Sequence, residues 1–134
     1  MIVDTSAMVA ILDDEPDAAV FEQRLFAADA DGESAVMSAA TYVELGIVLE
    51  RRRASALIRM AERLLRDWRI QIIPVTADQA RIARQAYRDY GKDMGHPAQL
   101  NYGDCFSYAL AVERGEPLLF KGEDFSRTDV RAAV

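Results

Sequence analysis

The sequence predicts an α/β fold: a central parallel sheet of four to five strands with helices on both faces, spanning residues 1–134 as a single domain. Three observations lead there. Short apolar runs alternate with segments of helical periodicity along the whole chain, the pattern of strands joined by helical crossovers. No internal repeat, low-complexity segment or Gly/Pro/Ser-rich linker divides the 134 residues. A composition of 51% hydrophobic and 28% charged residues suits one packed core and excludes disorder of the whole chain. Cys105 is the only cysteine, so no internal disulfide is possible and a reducing cytoplasm is the expected compartment. No apolar run approaches the ~18 residues a membrane span needs. Met1-Ile2-Val3-Asp4 meets an acid at once and lacks a basic flank, so no secretory signal is expected there.

The elements follow in order. Met1 to Asp4 is a short apolar strand closed by an acid, and Thr5-Ser6 offers caps for a helix through Leu12. Asp13 to Asp17 is a turn with Pro16 at a helix start, and Ala19, Val20, Phe21, Leu25 and Phe26 recur at helical spacing behind it. Ser34 to Met37 reads as a buried strand, with Ser38 capping a helix to Leu49. Leu57, Ala61, Leu64, Leu65 and Trp68 share one face of an amphipathic helix, and Arg59, Arg63 and Arg66 share another. The apolar content of Ile70 to Val75 predicts a strand buried on both sides. Thr76 or Asp78 caps a helix with Ala80, Ala83, Ala86, Tyr87 and Tyr90 inward and Arg81, Arg84 and Arg88 outward. Gly91 to Gln99 is a loop, Tyr102 to Glu113 is helical, and Pro117 to Phe120 is the last strand.

Sites in open parallel sheets form beyond the carboxyl ends of the strands. Asp4 follows the first strand directly, Glu44 lies in the helix after the second, Asp104 begins the helix before the fourth, and Asp124 lies just past the fourth. Asp4, Glu44 and Asp104 sit among apolar neighbours, and no His or Lys lies locally to pair with them. Buried acids need partners, and several together repel one another and hold their protons more tightly. A hard dication such as Mg²⁺ or Mn²⁺ resolves that conflict, because it takes oxygen ligands and assists displacement at phosphorus. The competing explanation is that Asp4 and Asp104 only cap helices while Glu44 stands half exposed.

These same residues carry a resemblance. Met1-Ile2-Val3-Asp4-Thr5-Ser6-Ala7, Ser38 to Leu45 around Glu44, and Asn101 to Ala111 around Asp104 resemble PIN-domain ribonucleases, and more narrowly the VapC toxins of bacterial type II toxin–antitoxin pairs. Leu118 to Phe125 is similar to that family's closing strand and acidic turn. The resemblance covers essentially the whole chain, with its anchors in the family's order. It implies a PIN-like domain whose metal ligands are Asp4 and Asp104, with Glu44 as the third acid and a hydroxyl from Thr5 or Ser6 in support. The sequence departs from the family at the fourth acid: Phe120 and Gly122 stand where a Thr and an Asn or Asp are common, so either Glu123 or Asp124 could serve, and Asp124 is preferred. The resemblance further implies Mg²⁺- or Mn²⁺-dependent cleavage of RNA and a cognate VapB-like antitoxin. It also implies a homodimer, extended to a heterotetramer or larger assembly with the antitoxin. An arginine or lysine of that antitoxin would enter the acidic site.

Charge is unevenly distributed. Residues 1–50 hold eleven acids and one base, residues 51–92 hold eleven bases and four acids, and the chain totals −6. That overall sign does not favour nucleic acid, but the arginine-rich middle, including Arg51-Arg52-Arg53, suits phosphate contacts. Cys105 is expected to be a buried small hydrophobe, Trp68 a core residue, and His96 exposed and inert. Three other functions fit parts of the sequence. Asp4-Thr5-Ser6 imitates an aspartic-protease signature, which belongs to β-rich proteins. Acids at strand ends with Lys121 imitate a phosphoacceptor receiver domain, and a non-enzymatic interaction module would use the acids only as caps.

Overall fold

The computed structural model covers residues 1–134. Four parallel strands, β1 (Ile2–Val3), β2 (Val36–Ser38), β3 (Gln71–Ile73) and β4 (Leu118–Leu119), form one sheet in the order β3-β2-β1-β4. Six helices connect them: α1 (Thr5–Leu12), α2 (Ala18–Ala30), α3 (Ala39–Arg51), α4 (Ser55–Asp67), α5 (Ala77–Tyr90) and α6 (Asp104–Arg114). The sheet has four strands, the lower end of the expected range, and a single parallel bridge from Leu118 to Ala132 extends its β4 edge.

Strand alternation sorts the core into two layers. Met1, Val3, Met37 and Leu119 face the layer of α1 to α4 with Met8, Leu25, Leu45 and Leu65. Ile2, Val36 and Leu118 face α5 and α6 with Ala83, Leu100, Tyr108 and Leu110. Successive side chains of a strand point to opposite faces, so a sheet covered on both sides needs the uninterrupted apolar runs seen at β1, β2 and β4.

Local chemistry sets the helix starts. Asp4, in extended backbone, accepts from the Ser6 amide; Ser38 accepts from Ala40 (3.3 Å) and Thr76 from Gln79 (3.1 Å). Gly115, at φ 62°, closes α6 in the left-handed conformation that glycine adopts without strain.

Several expectations change. β3 is an edge strand bonded only to β2, so Gln71 and Ile72 are exposed instead of buried on both sides. Pro16 stays in the turn and α2 begins at Ala18, with Ala19, Val20 and Phe26 exposed and only Phe21 and Leu25 of that set in the core. On α5, Ala83 and Ala86 are buried, but Ala80 and Tyr87 lie on an open flank because α6 covers only part of that face. His96 is half-buried; its Nδ1 accepts from the Ala98 amide (3.2 Å) and its ring meets Tyr90 edge-on at 4.9 Å. No helix is long and apolar enough to cross a membrane.

Candidate active site

The chain runs from β1 to β2 on one side and returns to β4 on the other, so the direction of winding reverses between β1 and β4. Loops diverge at such a point and leave a crevice at the carboxyl ends of the strands. Asp4 lies at its floor. Its amide donates to Leu119 O (3.0 Å) and its carboxylate is 2% exposed. Oδ2 accepts from the Ser6 amide (2.9 Å) and the Ser6 hydroxyl (2.6 Å), and Oδ1 from the Ser107 hydroxyl (2.6 Å). Ser6 Oγ in turn accepts from the Lys121 amide (3.0 Å), which ties the exit of β4 to the same acid.

α3 and α6 bring the next two acids. Ser107 follows Asp104 by about one helical turn, so one face of α6 carries both. Ser107 also meets the Thr41 hydroxyl at 2.9 Å; because its proton goes to Asp4, Thr41 is the donor in that pair. Glu44 follows Thr41 by one turn on α3, and its Oε2 accepts from the Thr5 hydroxyl at 2.7 Å. Asp104 closes the far wall through a reciprocal pair with Asn101: the Asn101 amide donates to Asp104 Oδ2 (2.7 Å) and the Asp104 amide to Asn101 Oδ1 (3.0 Å). Gly103 matters for its size, since a Cβ there would overlap the Glu44 carboxylate.

The fourth acid comes from the 3-10 turn at Phe125–Arg127. Asp124 precedes that turn, is exposed, and makes no side-chain cap bond. Its charge reaches Asp104. Glu123 instead bonds Ser126 and faces Arg127 at 3.7 Å, turned to solvent. Lys121 also turns away, paired with Glu15 and Asp17.

None of the protein's ion pairs includes Asp4, Glu44, Asp104 or Asp124. The electrostatic result is plain at Asp104. Burial pushes its carboxyl up to about 7, and the negative charges of Asp4, Glu44 and Asp124 add to the rise, while the Asn101 amide opposes it. Glu44 is raised by burial and by Asp4, against the Thr5 hydrogen bond. Asp104 Oδ1 and Glu44 Oε1 accept nothing from the protein, so oxygen lone pairs stay free in the crevice. The donor set is hard oxygen with uncompensated negative charge. It does not form a preformed cage of three or more ligands. A small dication that keeps several waters and takes one or two carboxylates fits such an open site.

Sequence reasoning named four acids and two hydroxyls; the structure brings Asp4, Glu44 and Asp104 near one another, with Ser6 serving Asp4 and Thr5 serving Glu44, while Asp124 stands exposed and reaches Asp104 only by its charge. It missed Ser107, Thr41, Asn101 and Gly103 as supports. The spacing of Asn101 to Asp104 was a usable signal, since an amide side chain three residues before an acid at a helix start forms reciprocal backbone bonds. Cys105, beside Asp104, is buried, donates to Asn101 O (3.3 Å), and has its thiol pushed up to about 11, so it is no nucleophile.

Residues 1–131 match the sequence profile of the PIN domain. Ribonuclease VapC42 of Mycobacterium tuberculosis H37Rv is 53% identical over 133 residues, covering 99% of this chain and 98% of that protein. Ribonuclease VapC of Mycolicibacterium smegmatis is 52% identical over 132 residues, covering 98% of each. The chain belongs to the VapC ribonucleases of the PIN-domain family. Among solved structures, the VapC20 toxin of M. tuberculosis, described as cleaving the sarcin–ricin loop, superposes with a TM-score of 0.69 at 20% identity over 96% of this chain and 95% of that one. A toxin–antitoxin complex from Klebsiella pneumoniae contains a chain that superposes at 0.62 with 18% identity, over 93% and 89%. These two likenesses are of fold. A parallel PIN-domain sheet excludes the β-rich aspartic-protease reading, and engagement of Lys121 by Glu15 removes the cation a receiver domain would need.

Proposed function

We propose that the protein is a Mg²⁺- or Mn²⁺-dependent endoribonuclease, the toxin of a type II toxin–antitoxin pair, in which Asp4 and Asp104 hold the metal and Glu44 and Asp124 complete the catalytic set. The observation that carries the reading is the pair of buried acids, Asp4 and Asp104, 2% and 8% exposed, in a crevice with no cationic side chain. When bound, the dication supplies positive charge to the phosphoryl oxygens and lowers the pKa of water. The chain's own residues do the rest. Ser6 and Ser107 fix both oxygens of Asp4, so the carboxylate need not reorganise during the reaction. Thr5 holds Glu44 by one oxygen and leaves the other free to accept a proton from the attacking water. Burial, with the charge of Asp4, raises the Glu44 carboxyl above its ordinary value and so makes it a stronger base. Asp124, at the exposed rim, orients water or substrate on the open side.

The decisive experiment is incubation of total cellular RNA with the protein in Mg²⁺, in EDTA, and as Asp4→Asn in Mg²⁺. Only the first should cut. RNA left intact in all three would favour the non-enzymatic interaction module.

The same uncompensated crevice suits an arginine or lysine from a VapB-like antitoxin, since a guanidinium binds a carboxylate strongly where no other cation competes. Val43, Ile47 and Met60, all about half exposed on α3 and α4, offer apolar surface for a partner helix. A solved fold neighbour is itself a toxin–antitoxin complex. The expected assembly is a homodimer, and a heterotetramer or larger with antitoxin. A complex that forms equally well after Asp4→Ala and Asp104→Ala, with no salt dependence, would refute the inserted base; light scattering gives the stoichiometry.

A further inference from the structure

Beside the acidic crevice lies a groove of different character. Its walls are Ala80, Ala83, Arg84 and Tyr87 on α5, Tyr102 just before α6, and Phe106 in the first turn of α6, around a cavity of about 300 Å³. Tyr102 is 78% exposed although it stands two residues from the buried Asp104. Its ring meets that of Phe106 in a T-shaped contact, with centroids 5.0 Å apart, and most of its surface is open to solvent. A large aromatic left uncovered at the mouth of a site costs apolar exposure that a bound ring would relieve.

The groove changes to a basic strip along α5. Arg84 lines the apolar cavity and also a second, shallower one with Arg81, Gln85 and Arg88. Arg81 pairs with Asp78, whereas Arg84 and Arg88 make no hydrogen bond or ion pair within the protein. Two unpaired guanidinium groups in a chain of net charge −6 mark a local field of opposite sign to the whole. An aromatic platform followed by free arginines is complementary to unpaired nucleic acid, whose bases stack and whose phosphates pair with Arg.

We propose that this groove binds single-stranded RNA: a nucleobase next to the scissile phosphate stacks on Tyr102, and the phosphates beyond it run along Arg84 and Arg88. The proposal rests on the ribonuclease reading above and gives that site its substrate path. It makes the preferred RNA one with an unpaired nucleotide at the cut, because a base held in a duplex cannot present its face to Tyr102.

The test is binding of a fluorescent unpaired oligoribonucleotide in EDTA, read by anisotropy, followed by cleavage in Mg²⁺. Tyr102→Ala should weaken binding about 10-fold, within the range known for base–aromatic stacking, and raise KM with little change in kcat. Tyr102→Phe should bind within about 2-fold of the parent, since stacking needs no hydroxyl. Oligonucleotides made abasic at each position in turn should include one that binds weakly and loses nothing further with Tyr102→Ala. Arg84→Gln and Arg88→Gln should each reduce the slope of log K against log salt by about 0.7. Unchanged RNA binding in Tyr102→Ala and both arginine variants would overturn the proposal. So would a Tyr102→Ala protein that keeps its RNA affinity but loses its dimer or its antitoxin, since the groove would then belong to a protein partner. A parent protein that binds through Tyr102 yet never cuts would refute the nuclease reading and leave the groove standing; a parent that cuts equally well without Tyr102 would do the reverse.

Discussion

Asp104 is where the site's internal conflict is greatest, and its protonation can be followed. A carboxyl raised to about 7 in the native state keeps a proton that the unfolded chain has already released above about pH 4. Between those values the native state binds more protons than the unfolded one, so stability of the metal-free protein falls as pH rises, by on the order of 4 kcal/mol in all. In EDTA the protein should therefore melt at a higher temperature at pH 5 than at pH 8. Asp104→Asn should flatten that dependence and raise the melting temperature at pH 8. A second residue-scale expectation concerns Gly103: Gly103→Ala forces Glu44 off its hydrogen bond with Thr5. The fold should survive while cleavage falls about 100-fold, a loss typical of a misplaced reacting group. Ser107→Ala leaves Asp4 Oδ1 and the Thr41 hydroxyl without their shared partner, and should cost ~1–3 kcal/mol in denaturant unfolding. The acids themselves were legible because burying carboxylates among apolar residues is costly and therefore conspicuous. Ser107 was not, since a hydroxyl on a buried helix face looks like any small packing residue until the acid 103 positions away is seen beside it.

At the scale of elements, the strands differ in what they tolerate. Leu119, fully buried between α1–α4 and the sheet, should lose ~2–5 kcal/mol on truncation to Ala. Ile72 on the edge strand, 39% exposed, should accept Thr within about 0.5 kcal/mol. Chemical denaturation of the two variants checks both. The contrast also shows where reading the sequence stops. Met1-Ile2-Val3 and Leu118-Leu119 announce strands covered on both faces, and they are. Ile70 to Val75 carries the same apolar content, yet composition cannot say how many neighbours a strand will have, and β3 has only β2. Caps made part of the helices legible: Ser38 and Thr76 act where the sequence placed them, whereas α1 is capped by Asp4, with the expected caps Thr5 and Ser6 lying inside its first turn. Tyr87 and Ala80 were misplaced because the apolar stripe of α5 is wider than the strip α6 covers.

Over the whole molecule, folding brings the acidic first third against the basic middle. Arg52 Nη1 contacts both oxygens of Asp13 at 2.7 Å, and Arg69 reaches Asp29 at 3.5 Å. These contacts are exposed, so Arg52→Ala should cost less than about 1 kcal/mol and 0.5 M salt should move the melting temperature little. The segregation of charge was visible in the sequence, but which arginines are spent on such pairs and which, like Arg84 and Arg88, are left free depends on three-dimensional neighbours.

The reversal of winding between β1 and β4 also makes the crevice a late product of translation. Asp4 is made about a hundred residues before Asp104, Ser107 and the strand that bonds the Asp4 amide. Until they emerge, the nascent chain lacks the full set of acids proposed to cut RNA.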